Sequence, residues 1–129
     1  MLLVYASKTG NTQRFVQKLG EIRSLRILTG EEQVDEPCIL LTYTTGFGQV
    51  PPEVEQFVLH NALWIRGVAA SGNRNWGTRF ARSADVLSER LGVPVVYRFE
   101  LSGRPTDVVH FRALYREIRG SQLTGTILK

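Results

Sequence analysis

A chain of 129 residues has room for one hydrophobic core built around a small sheet and none for a second lobe. With 43% apolar and 22% charged residues it reads as globular, and no apolar run approaches the ~20 residues of a membrane span. The net charge of +4 comes almost wholly from arginines scattered without a basic run, lysine being confined to Lys8, Lys18 and Lys129; this sets aside nucleic acid and favours an acidic protein partner or an anionic cofactor.

Apolar runs and helical periods alternate from end to end, the pattern of a parallel sheet covered by helices on both faces. Residues 1–7 lack a basic n-region and turn polar at once. They read as a first strand over 2–6 rather than a signal peptide, which points to the cytoplasm. A helix follows with Phe15, Val16 and Leu19 on one face, stopped by Gly20, and a short second strand is expected over 25–28. Glu31, Glu32, Asp35 and Glu36 read as a solvated connection. The third strand, 38–42, is apolar on both faces as a central strand should be. It opens on Cys38, the single cysteine, which excludes an internal disulfide and a multi-cysteine metal site and reads as a small core residue.

Pro51 and Pro52 pre-set a second helix that buries Val54, Phe57 and Val58, and Trp64 is expected between helix and sheet. The fourth strand is expected over 67–71, then a third helix with Phe80, Ala84, Leu87 and Leu91 inward. Alternation over 95–101 marks an edge strand with one wet face. Thr106 or Asp107 would cap a last helix with Val108, Phe111, Leu114, Tyr115 and Ile118 inward, ended by Gly120 and followed by a tail. Residues 1–129 are thus expected to form one domain, with 120–129 as a disordered tail. His60 and His110 have neither a carboxylate cluster nor an HxxxH spacing nearby, so no metal is expected.

In an open sheet of this kind ligands bind beyond the carboxyl ends of the strands, where strand order reverses. Three loops of unusual composition converge there. The first, Ser7-Lys8-Thr9-Gly10-Asn11-Thr12, joins a strand to a helix and offers hydroxyls, a permissive glycine and free N–H groups, which suit a phosphate monoester. It carries neither a Walker pattern nor GxGxxG, so ATP and NAD are not indicated; a Ser/Thr-rich helix cap is the lesser alternative for this loop taken alone. The second loop, residues 42–51, contains Tyr43, Thr44, Thr45, Gly46, Phe47 and Gly48; glycines flanking an aromatic let backbone approach a flat ring and let a peptide turn over. The third carries Ser71, Gly72, Asn73, Arg74, Asn75, Trp76 and Gly77, whose tryptophan lies outside any periodic stripe and whose amides suit the edge of a pyrimidine-like ring. Together the three loops indicate flavin mononucleotide (FMN).

Ser7-x-Thr9-Gly10-x-Thr12 resembles the flavodoxin phosphate loop. The blocks 42–48, 70–77 and Phe99-Glu100-Leu101-Ser102-Gly103 resemble the NrdI family, the flavodoxin-like partner of class Ib ribonucleotide reductase. The resemblance runs from the first strand through the last helix. It implies a flavodoxin-like α/β fold with a five-stranded parallel sheet in the order 2-1-3-4-5. It also implies that reduced FMN, supplied with electrons by an upstream reductase, reacts with dioxygen and delivers superoxide or peroxide to the dimanganese site of the reductase small subunit, where a tyrosyl radical forms. Ser7, Thr9, Gly10, Asn11 and Thr12 would hold the phosphate. Tyr43, Thr44, Thr45, Gly46, Phe47, Gly48, Ser71, Gly72, Asn73, Asn75, Trp76 and Gly77 would surround the ring. The second and third loops contain Arg74 and no carboxylate, which favours easy full reduction of the flavin. No acid/base pair or nucleophile stands beside them, so the flavin would carry the chemistry.

The competing reading is a general electron-transfer flavodoxin. A receiver-type domain would need an acidic pair after the first strand, where Ser7 stands, and an aspartate after the third, where Thr42 to Thr45 stand. A low-molecular-weight phosphatase would need its cysteine in the first loop, and Cys38 is elsewhere.

Overall fold

The computed structural model describes residues 1–45, 49–73 and 81–123. Five parallel strands, β1 (Leu2–Tyr5), β2 (Ser24–Arg26), β3 (Cys38–Tyr43), β4 (Ile65–Gly72) and β5 (Val95–Glu100), form one sheet in the order β2-β1-β3-β4-β5. The helices are α1 (Asn11–Leu19), α2 (Pro52–Asn61), α3 (Arg82–Leu91) and α4 (Pro105–Leu123), with a single 3₁₀ turn at Ala62–Trp64. The expected fold class and strand order are those observed.

Strand side chains alternate between two cores, as the period of two requires. Val4, Leu40, Val68 and Ala70 face α2 and α3, where Val54, Phe57, Ala84 and Leu87 meet them. Leu3, Ile39, Leu41 and Ala69 face α1 and α4, against Phe15, Leu19, Phe111 and Tyr115. Central strands buried on both sides explain the continuous apolar run of β3. Cys38 lies fully buried, and desolvation pushes its thiol up to about 12, leaving no thiolate at neutral pH. Trp64 packs at the border of the α2/α3 core as expected. Among the described residues no helix is long and apolar enough to cross a membrane, and no cluster of His, Cys, Asp and Glu is arranged to hold a metal.

Several local expectations need correction. Strand β2 is Ser24–Arg26, not 25–28: Ile27 is buried beyond it and Leu28 is turned into solvent. The acidic connection is not simply solvated. Glu32 accepts the N–H groups of Leu28, Thr29 and Gly30, and Glu36 pairs with Arg23 and the amino terminus. The buried Asn61 amide then fixes the segment to α2, accepting from Val34 N at 2.9 Å and donating to Glu32 O at 2.8 Å.

Strand β5 ends at Glu100, because Leu101 turns into the left-handed region with φ 54°. Helix α4 is not capped by the side chain of Thr106 or Asp107 at its first residue. Pro105 opens it, and Asp107, in the first turn, reaches back to accept Arg104 N at 2.7 Å. Nor does Gly120 end it: this glycine keeps a helical backbone, and the helix continues to Leu123, so part of the expected tail is helical. Leu114 is only partly buried. Phe80, expected on the third helix, lies outside the described residues, as do 124–129.

Candidate functional site

The loops following β1, β3 and β4 meet at the carboxyl edge of the sheet around a cleft of about 360 Å³. That volume lies within the range of small-ligand sites, ~300–1,000 Å³. Of the residues singled out from sequence, Thr9, Asn11, Thr12, Tyr43, Thr44, Thr45, Ser71, Gly72 and Asn73 line it. Gly46, Phe47, Gly48, Asn75, Trp76 and Gly77 lie outside the described residues.

The first loop is shaped by Gly10, which stands at the N-cap of α1 with φ 90°. Backbone strain disfavours a side chain there, while the Arg14 Nη1 that a Cβ would meet at 2.8 Å is the end of a flexible side chain and could give way. No backbone N–H from Lys8 through Thr12 donates to another described residue, and α1 points its positive end at the cleft. Ser7 stands just behind. Its Oγ accepts Gln13 N at 3.2 Å, leaving its own proton to give, while Arg26 donates to the Ser7 carbonyl at 3.0 Å and to Gln13 Oε1 at 3.1 Å. Arg26, at the end of β2, thus fixes the loop from the neighbouring strand, a contact between segments 19 residues apart that sequence does not reveal. Asn11 does two tasks, donating to Thr9 Oγ1 and accepting from Arg14 at 2.6 Å. The buried hydroxyls of Thr12 and Ser71 lie 3.4 Å apart and join the first loop to the third.

The second loop is pinched at its base. Thr45 and Gln49 exchange both backbone hydrogen bonds, at 3.0 and 2.8 Å, as an antiparallel pair. Two braces hold that base. On the α3 side the fully buried Ser83 donates to Tyr43 O and lies 2.8 Å from Thr44 Oγ1. On the α2 side Tyr43 donates its phenolic proton to Glu53 Oε2 at 2.5 Å. Burial and this carboxylate together hold the Tyr43 phenol far above its ordinary range, so it stays protonated.

The sequence reading missed three further liners, Lys8, Ala81 and Leu101. Ala81 (φ 51°) and Leu101 (φ 54°) are the non-glycine residues in the left-handed region among those described. Both face the cleft, and strain gathered at one place is a mark of a site rather than of a scaffold. Lys18 secures the Leu101 turn by donating to Ser102 O and Gly103 O at 3.3 and 3.4 Å. The arrangement as a whole has a donor-rich pole at α1 and a wider wall made of Tyr43, Thr44, Asn73 and Leu101. It suits a ligand with an anionic end and a flat body, and the described residues lining it include no carboxylate.

Comparison with known proteins agrees with this geometry. The solved short-chain flavodoxin associated with a non-canonical PDU bacterial microcompartment superposes with a TM-score of 0.69 at 17% identity, covering 93% of this chain and 96% of that one. Oxidised flavodoxin 2 from Bacillus cereus gives 0.68 at 24% identity, covering 91% and 97%. In sequence, the protein NrdI of Bacillus licheniformis is 52% identical over 109 residues, 84% of this chain and 82% of its own length. The pattern of the family described as NrdI flavodoxin-like matches residues 3–113, and the chain belongs to that family.

Proposed function

We propose that this protein binds FMN in the cleft, is reduced in the cytoplasm by an upstream reductase, and serves the small subunit of a class Ib ribonucleotide reductase. One observation carries the cofactor reading: N–H groups with no described acceptor, at the start of a helix entered through a left-handed glycine, at one end of a cleft walled by an aromatic ring and hydroxyls. Membership in the NrdI family carries the partner reading. When bound, FMN would supply electrons to dioxygen, and the superoxide or peroxide so formed would reach the dimanganese site of the small subunit and allow its tyrosyl radical to form.

The chain's own residues bind and orient. Gly10, Asn11 and Thr12 offer backbone N–H groups to the phosphate, with the hydroxyls of Ser7, Thr9 and Thr12 within the same loop. Tyr43, Thr44, Thr45, Ser71, Gly72 and Asn73 supply the ring's surroundings. Gly46, Phe47, Gly48, Asn75, Trp76 and Gly77 complete the proposed set. Tyr43, held protonated, offers no negative charge of its own at the wall.

The visible absorption spectrum of the purified protein, before and after addition of FMN, tests the cofactor. A colourless protein that stays colourless would end this reading. The reduced protein, exposed to air with a manganese-loaded small subunit, should then yield a tyrosyl radical by electron paramagnetic resonance. Slow reoxidation with electron transfer to other acceptors would favour a general electron carrier instead.

A further inference from the structure

The cleft is lined by no described carboxylate, yet one stands immediately behind its wall. Tyr43 closes the end of β3 and lines the cleft, and its hydroxyl is 2.5 Å from Oε2 of Glu53 in the first turn of α2. The approach is built in from several sides. Pro51 and Pro52 start the helix at this point, and the helix N-terminus favours an acid there. Gly30, with φ 94°, lets the β2–β3 connection pass so close that a Cβ on it would lie 2.6 Å from Glu53 O and 2.5 Å from Gln56 Cβ. Ser83 fixes the Tyr43 carbonyl, so the residue is held both by its backbone and by its hydroxyl.

We propose that Glu53 is a positioning residue of the flavin cleft: through Tyr43 it locks the aromatic wall and places a fixed negative charge one hydrogen bond behind it, which disfavours added electron density on a bound flavin. The inference rests on the FMN reading above. Its consequence is a cofactor that is harder to reduce and, once reduced, a stronger electron donor. A full charge about 10 Å away at an effective dielectric of about 20 changes such an equilibrium on the order of tenfold. Glu53 is half-buried, so solvent screening lowers the expected effect toward several-fold.

The experiment compares wild type with Glu53→Gln and Tyr43→Phe, measuring dissociation constants for oxidised and for reduced FMN. Glu53→Gln, which removes the charge, should raise the affinity for reduced relative to oxidised FMN by about three- to tenfold. Tyr43→Phe leaves the carboxylate in place and frees the ring, so it should weaken binding of both forms with little change in their ratio, and in the double variant the ratio should follow Glu53→Gln. In the FMN-free protein, ultraviolet titration should find one of the four tyrosines ionising at lower pH in Glu53→Gln. Normal FMN binding with an unchanged ratio in Glu53→Gln would overturn the inference alone. A wild type that binds no FMN would overturn the functional reading with it, and the tyrosine titration would still report whether the Tyr43–Glu53 contact forms.

Discussion

Thr44 and Ser83 stand 39 residues apart in the chain, and their hydroxyl oxygens are 2.8 Å apart in the fold. Each hydroxyl has one proton. Ser83 spends its own on the Tyr43 carbonyl at 3.2 Å, so Thr44 must be the donor in the pair. A side chain at the start of α3 therefore sets the path of the loop after β3. Ser83→Ala removes the acceptor of the Thr44 hydroxyl and one of two donors to the Tyr43 carbonyl, which Thr42 Oγ1 still reaches at 2.9 Å, and should cost about 1 kcal/mol of stability. Urea unfolding would measure that loss, and fluorescence titration should show weaker FMN binding in the same variant. Wild-type values in both would remove Ser83 from the account of the site.

Leu101 tests whether the cleft stores strain. Relief of a left-handed backbone by glycine is worth about 1 kcal/mol, and burial lost from a side chain that is 46% exposed costs about as much. Leu101→Gly should therefore leave stability within about 0.5 kcal/mol of wild type, while Leu101→Ala, which keeps the strain and loses the contact, should cost about 1 kcal/mol. Both should weaken FMN binding, since both remove part of the wall. A glycine variant as destabilised as the alanine variant would show that the φ of 54° carries no penalty here.

The central strands and the loops that meet at the cleft were legible because they depend on local chemistry, whereas the sheet order came with the family resemblance. Apolar runs such as 38–42 announce a doubly covered strand, and Gly10 after a strand announces a left-handed turn into a helix. What escaped was long-range pairing of polar groups. Ser83 looks like any serine in a helix, Arg26 like any surface arginine, and Asn61 like any polar residue at a helix end; each acquires its role from a backbone atom or hydroxyl that another segment brings to it. Leu101 escaped for a different reason. Its apolar character fits the alternation of β5, and only the backbone reveals that the strand has already turned. Gly120 misled in the opposite direction: glycine inside a helix costs only about 1 kcal/mol against alanine, which a long packed helix absorbs.

Gly103 should tolerate no side chain. Its φ is 79°, and a Cβ would lie 2.6 Å from a ring carbon of Phe15, which stacks on Phe99 at 3.9 Å and meets Phe111 edge-on at 5.4 Å. Backbone strain and overpacking add, so Gly103→Ala should cost about 2–4 kcal/mol. Gly92→Ala is the matched control. It has φ 68° with nothing within 4 Å of the new atom, so only the strain of about 1 kcal/mol should appear. Thermal unfolding of the two variants side by side separates the terms, and equal losses would mean that the Phe15 ring yields freely.

Glu32 should make stability depend on pH. Burial raises its pKa, but the N–H groups of Leu28, Glu32 itself, Thr29 and Gly30 outweigh this, and the carboxyl ends below its ordinary 4.5. A folded pKa below the unfolded one adds stability that is complete above pH 4.5 and fades as pH falls through the folded value. Glu32→Gln exchanges one acceptor oxygen for an amide that faces backbone N–H groups. It should cost about 1–2 kcal/mol at pH 7, toward the lower end because the side chain is partly solvated. Below pH 4.5 the difference from wild type should narrow, since the wild-type carboxyl then takes up a proton and gives up the same interactions. Urea midpoints measured at intervals of pH check both the size and the sign. A gap that widened in acid would mean that the carboxyl is bound better in its protonated form, and the three N–H contacts would then not be what orders this connection.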